Sequence, residues 1–110
     1  MKNDYYKESG EIEAFLIGLL NPKLGSKTYK DLKGAYQSIK LNEEGSGFLK
    51  PAQQRKEVEK LLKYFGKAID LLIKRNPEMK SRGENLKSQL HQMTSSNDIW
   101  YLYEQVRKMK

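Results

Sequence analysis

The chain has 110 residues, 21 Lys+Arg against 14 Asp+Glu, a formal charge of +7, one His and no Cys. A length of this order makes one domain, so residues 1–110 are read as a single helical domain, with 1–10 a loosely ordered N-terminal segment. The absence of cysteine excludes disulfides, thiol nucleophiles, iron–sulfur clusters and thiolate zinc sites.

The longest apolar run, Ala14–Leu20, is seven residues, against the roughly 20 that span a bilayer. No basic-plus-apolar leader opens the chain. The expectation is a soluble cytoplasmic protein. Leu, Ile, Val and Phe total 25 residues, above the roughly 20% level below which chains stay unfolded. Val, Ile and Thr together are only 10, which argues against a sheet.

Five helical patterns follow in chain order. In Glu11–Leu20, residues Ile12, Phe15, Leu16, Leu19 and Leu20 repeat at i, i+3, i+4, i+7, i+8. Ser9 is the expected N-cap, and Pro22 the stop. In Tyr29–Leu41 the stripe is Leu32, Ala35, Tyr36 and Ile39. Thr28 with Asp31 resembles a capping box, and Gly34 costs the helix about 1 kcal/mol. A loop, Asn42–Lys50, follows.

The strongest pattern is Pro51–Arg75. Pro51 suits the first helical position. Val58, Leu61, Leu62, Phe65, Ile69, Leu72 and Ile73 form one face with Ala68 beside them. Glu59 with Lys63, and Asp70 with Lys74, are expected i,i+4 ion pairs. Pro77–Met93 starts well after Asn76, but its stripe is thin (Met79, Leu86, Leu90, Met93) and Gly83 interrupts it. Its continuity is left open. Asn97–Lys108, capped by Ser95 or Ser96, carries Ile99, Trp100, Leu102, Tyr103 and Val106. The expected fold is all-α, a compact antiparallel bundle of four to five helices around the long helix 51–75.

Catalytic motifs are missing. Gly25-Ser26-Lys27-Thr28 lacks the spacing and preceding strand of a phosphate-binding loop. His91 is a lone imidazole without a metal-ligand partner. Glu43 and Glu44 lack calcium-loop spacing. No catalytic residues, metal or cofactor are expected, and the chain is read as a non-enzyme.

The charge is uneven. Segment 1–22 carries −2, segment 23–50 carries +3, segment 51–76 carries +4 and segment 77–110 carries +2. Lys56, Lys60, Lys63 and Lys67 line up opposite the apolar face of the long helix. Lys27 and Lys30 add a second basic cluster, and the loop Gly45–Lys50 is a possible extension. Solvation alone explains many such faces, and an anionic partner surface is the functional alternative. Seven tyrosines are another feature. Trp100 and Tyr101 cannot both face the core beside Ile99, Leu102 and Tyr103, so an aromatic contact is expected near the surface of the last helix.

In outline (length, basic charge, helical bundle, no catalytic site) the chain resembles the small cytoplasmic immunity proteins that protect bacteria from class II bacteriocins. That resemblance implies recognition of a bacteriocin–receptor complex, with Trp100 and Tyr101 mattering more than the lysines. The residues themselves point first to a small interaction or regulatory protein that binds a macromolecule. A protein partner leads, engaged by Lys56, Lys60, Lys63, Lys67, Lys27 and Lys30. Nucleic acid or an anionic membrane on the same basic face is the alternative.

Overall fold

The computed structural model describes residues 4–20, 32, 34–45 and 49–110. Five α-helices are described: α1 (Asp4–Leu20), α2 (Ala35–Glu43), α3 (Pro51–Arg75), α4 (Lys80–Gln89) and α5 (Ser96–Lys108). Single 3-10 turns, Pro77–Met79 and Leu90–Gln92, flank α4. There is no strand among the described residues. The protein is an all-α bundle with a Cα radius of gyration of 13.7 Å, near the roughly 13 Å of a compact domain this size.

α3 runs over the residues its periodicity marks. Pro51 occupies the first turn, where its missing N–H costs nothing. The Gln53 side chain accepts a hydrogen bond from the Lys50 backbone N–H at 2.9 Å. Val58, Leu61, Tyr64, Phe65, Ala68, Ile69 and Leu72 are buried along one side. They pack in one core with Ile12, Leu16 and Leu19 of α1, Tyr36 and Ile39 of α2, and Ile99, Leu102 and Val106 of α5. Met109, just past α5, joins that core. Leu62 and Ile73, expected in the core, are only partly buried against it.

α1 starts at Asp4, well before the expected Glu11. Ser9 is therefore not an N-cap. It is a fully buried residue inside the helix, and its hydroxyl has no hydrogen-bond partner among the described residues. The early start has a tertiary support. Glu8 Oε1 accepts a hydrogen bond from the buried Tyr36 hydroxyl at 2.6 Å, and periodicity along α1 carries no sign of that contact.

α2 starts at Ala35. Gly34, expected inside the helix, stands immediately before it with φ +89°. That left-handed conformation strains any residue with a Cβ, so Gly34 sets the helix boundary instead of weakening its interior. The proposed Thr28–Asp31 box and the Pro22 stop lie outside the described residues.

The fourth pattern keeps its span but not its regularity, because both ends tighten into 3-10 turns. Gly83 is a seat rather than an interruption. A Cβ placed there would lie 2.6 Å from Ile73 Cδ1 and 3.1 Å from Ile69 Cγ2, so only glycine lets α4 approach α3 this closely. Gly83 faces Ile73, while Lys87 faces Asp70 further back along α3. The two helices therefore run antiparallel.

At α5, Ser95 is the cap. Its Oγ accepts a hydrogen bond from the Asp98 N–H at 3.2 Å. The Asp98 carboxylate in turn accepts from the Thr94 N–H at 2.8 Å and the Ser95 N–H at 3.1 Å. These bonds form the reciprocal capping box. The Thr94 backbone bond chiefly, and the Ser95 bonds after it, hold the Asp98 carboxyl below the usual carboxylate range.

Candidate functional site

The outer side of α3 carries the lysine stripe. Lys56, Lys63 and Lys67 are exposed and Lys60 is half-buried. From Lys56 to Lys67 the stripe spans about 17 Å at 1.5 Å per residue. Lys60 Nζ lies 3.1 Å from Glu57 Oε2, so its charge is partly offset by its own helix. Lys63 and Lys67 differ. Their Nζ atoms sit 5.9 and 5.5 Å from the centroid of the Tyr64 ring, and no carboxylate among the described residues pairs with either. The ring face attracts both ammonium groups and leaves their charge uncancelled.

The expected pairs Glu59–Lys63 and Asp70–Lys74 are not formed. Asp70 instead takes Lys87 of α4, at 2.6 Å. Docking of α4 brings that carboxylate a partner from outside its own helix and sets Lys87 at the edge of the stripe. Lys87 was missing from the basic face read off the sequence. It lies 17 positions from Asp70, so no spacing rule within one helix could have found it. Lys27 and Lys30 lie outside the described residues, as does the 46–48 stretch of the Gly45–Lys50 loop.

Beside the stripe lies a groove of about 680 Å³, between the N-terminal half of α3, the end of α2 and the 3-10 turn after α4. Its floor is apolar: Val58 and Met93 are buried, and Leu62 and Leu90 are partly buried. Most polar groups on its rim are already engaged. Asn42 Nδ2 donates to Gln54 Oε1, and Asn42 Oδ1 accepts from the Leu49 N–H at 3.1 Å. Glu43 accepts from the Ser96 N–H at 2.9 Å and from Ser96 Oγ at 2.5 Å, which ties α2 to the N-terminus of α5. Arg55, Glu59 and His91, all exposed, remain on the rim.

The Tyr36 phenol is held far above its ordinary range, first by burial and then by the hydrogen bond to Glu8. It keeps its proton at neutral pH and acts as a fixed donor between α2 and α1. Among the described residues, no group of His, Asp and Glu is arranged to hold a metal ion, and no helix is long and apolar enough to cross a membrane.

On α5, Tyr101 is 47% exposed. Trp100 is half-buried, its ring 5.0 Å from that of Tyr103, which meets Phe15 of α1 edge-on at 5.5 Å. One of the two aromatics is thus a packing residue and the other faces solvent. The geometry as a whole offers a linear array of cations, an apolar groove at its flank and one exposed aromatic. The sequence matches no known family, and no curated protein or solved structure matches the chain.

Proposed function

We propose that this protein is a non-enzymatic interaction module that binds an acidic surface of a protein partner through the lysine stripe of α3. The observation that carries this reading is the pair Lys63 and Lys67, both exposed, both aligned on Tyr64, and neither paired with a carboxylate among the described residues. A purely solvated face is normally laced with i,i+4 ion pairs. Here Glu59, four residues before Lys63, forms no ion pair with it, and Asp70, three residues after Lys67, is bonded to Lys87. Lysines held over a rigid ring lose less freedom on binding than free ones, and a row of like charges steers an oppositely charged partner.

The test is the double variant Lys63→Glu with Lys67→Glu, compared with the parent in affinity capture followed by mass spectrometry. A specific protein captured by the parent and lost with the variant, at unchanged helical circular dichroism, supports the reading. Unchanged capture removes the stripe from consideration. Parallel titrations with duplex DNA and with anionic liposomes at several salt concentrations separate the other anions. Affinity for DNA falling linearly in log salt would replace the protein partner with nucleic acid, and liposome binding alone would replace it with a membrane surface.

A second reading rests on Tyr101, the one large apolar side chain exposed among the described residues. If the resemblance to bacteriocin immunity proteins extends to function, Tyr101 is the contact. Tyr101→Ala would then abolish protection of a sensitive cell while leaving the fold intact, because the core residues Ile99, Leu102 and Val106 are untouched. Full protection by that variant would remove the reading.

A further inference from the structure

We infer that α4 regulates the stripe: docked on α3, it brings Lys87 to cancel Asp70, the carboxylate that stands between Lys67 and Lys74, and so raises the affinity of this face for acid. The inference rests on the reading of the stripe as a protein-binding surface and deepens it by naming its regulation.

The first observation is register. Lys60, Lys63, Lys67, Asp70 and Lys74 follow one another at spacings of three and four, so they share one face of α3. Lys74 is exposed, and it pairs with no carboxylate among the described residues. Asp70 has a cation on each side within its own helix, yet it pairs with neither. Its Oδ1 takes Lys87 Nζ at 2.6 Å. With Asp70 cancelled from outside the helix, the cations run on from Lys67 to Lys74, about 10 Å further along α3 at 1.5 Å per residue.

The second is how α4 is held. Its contacts are mainly with α3 and with the two turns that flank it. Leu86 is its one buried side chain beside the Gly83 seat. No side chain caps its start, and the bond from Lys87 to Asp70 is exposed. A short element with so few anchors opens at a free energy well below that of global unfolding. When α4 lifts, Lys87 leaves with it, and Asp70 is left as an uncancelled anion within the stripe.

Docking of α4 and binding of acid are therefore coupled. The Lys87 ammonium makes this face one charge more positive when α4 is docked, and an acidic segment favours that form. Linkage makes the effect reciprocal. The factor by which docking tightens the acid is the factor by which the acid suppresses opening of α4. One unit charge on an exposed surface sets that factor at about three.

Amide hydrogen exchange of the full chain at low salt, with and without saturating hexaglutamate, reads this factor and needs no variant. Amides of residues 80–89 should exchange about three-fold more slowly with the peptide bound. Two exposed substitutions that leave the core intact then assign the cause. Lys87→Met should weaken dye-labelled hexaglutamate by about three-fold in fluorescence anisotropy and should abolish the slowing. Asp70→Asn, which removes the interruption itself, should tighten the peptide by about as much.

Unchanged exchange at 80–89 while hexaglutamate binds overturns the coupling and leaves the stripe standing. Slowing that persists in Lys87→Met comes from another contact of α4 and overturns the role of Lys87. Unchanged affinity in Asp70→Asn overturns the place of Asp70 in the stripe. No binding of hexaglutamate by the parent overturns the stripe, and the coupling with it.

Discussion

α3 and α4 lie side by side, antiparallel, yet they are helices for different reasons. α3 has a long apolar face, a proline at its start and seven buried residues. α4 is ten residues long, has no side-chain cap at its start, and buries only Gly83 and Leu86. Its registration comes from outside: Gly83 seated on Ile73 and Ile69, Lys87 bonded to Asp70, Leu90 resting beside Gly66. A short helix of that composition is marginal alone. The contrast teaches that the stripe and groove have an autonomous side, built by α3, and a dependent side, built by α4 and the turn after it.

Substitutions in α3 should therefore break the whole molecule, and substitutions in α4 should loosen one wall. Phe65→Ala, at a side chain with no exposure, should cost about 3–5 kcal/mol in urea unfolding, with near- and far-ultraviolet dichroism lost in one transition. Leu86→Ala should cost about 2 kcal/mol, the low end for a buried leucine. Hydrogen exchange should show that loss concentrated in residues 80–92, with α3 amides still protected. Uniform loss of protection would mean that α4 is as integral as α3.

Two glycines sharpen the comparison with opposite signs. Gly83→Ala gains about 1 kcal/mol of helix propensity but drives a Cβ into Ile73. Overpacking of this kind costs about 1–3 kcal/mol, so the net expectation is destabilisation of about 1 kcal/mol. Gly10→Ala, with nothing within 4 Å of the new Cβ, should stabilise by about 0.5–1 kcal/mol. Thermal melts of the two variants check the difference. Stabilisation by both would mean that Ile73 yields freely.

The smallest effect concerns the α5 cap. The Asp98 carboxyl is held below its unfolded value, so its stabilisation is present at neutral pH and lost as pH falls through the folded value. Asp98→Asn should be less stable than the parent at pH 7 and should converge with it once pH falls below the folded value of that carboxyl. Parallel acid curves would mean that the two N–H bonds to this carboxylate contribute nothing.

How much of this was legible in sequence varies by element. Pro51–Arg75 was readable to the residue because amphipathic period, proline and charged end agree locally. The α5 cap was readable only as Ser95 or Ser96, and the structure selects Ser95. The start of α1 was not, since it leans on the hydrogen bond between Glu8 and Tyr36, 28 positions apart. The helix break at Gly34 was misread as a weak interior because propensity alone does not report the sign of φ. Within the candidate site, the stripe of Lys56, Lys60, Lys63 and Lys67 follows from spacing. The groove does not, because its floor joins Val58 and Leu62 to Leu90 and Met93 only after α4 has folded back.

The sequence by itself determined the helical class, the central helix and the basic side of that helix, because each depends on periodicities within one segment. Only the tertiary structure decided which lysines keep their charge unpaired, why Gly83 is a glycine and where an apolar groove opens. Each of those depends on atoms that distant parts of the chain bring within a few ångströms, a distance that no local pattern encodes.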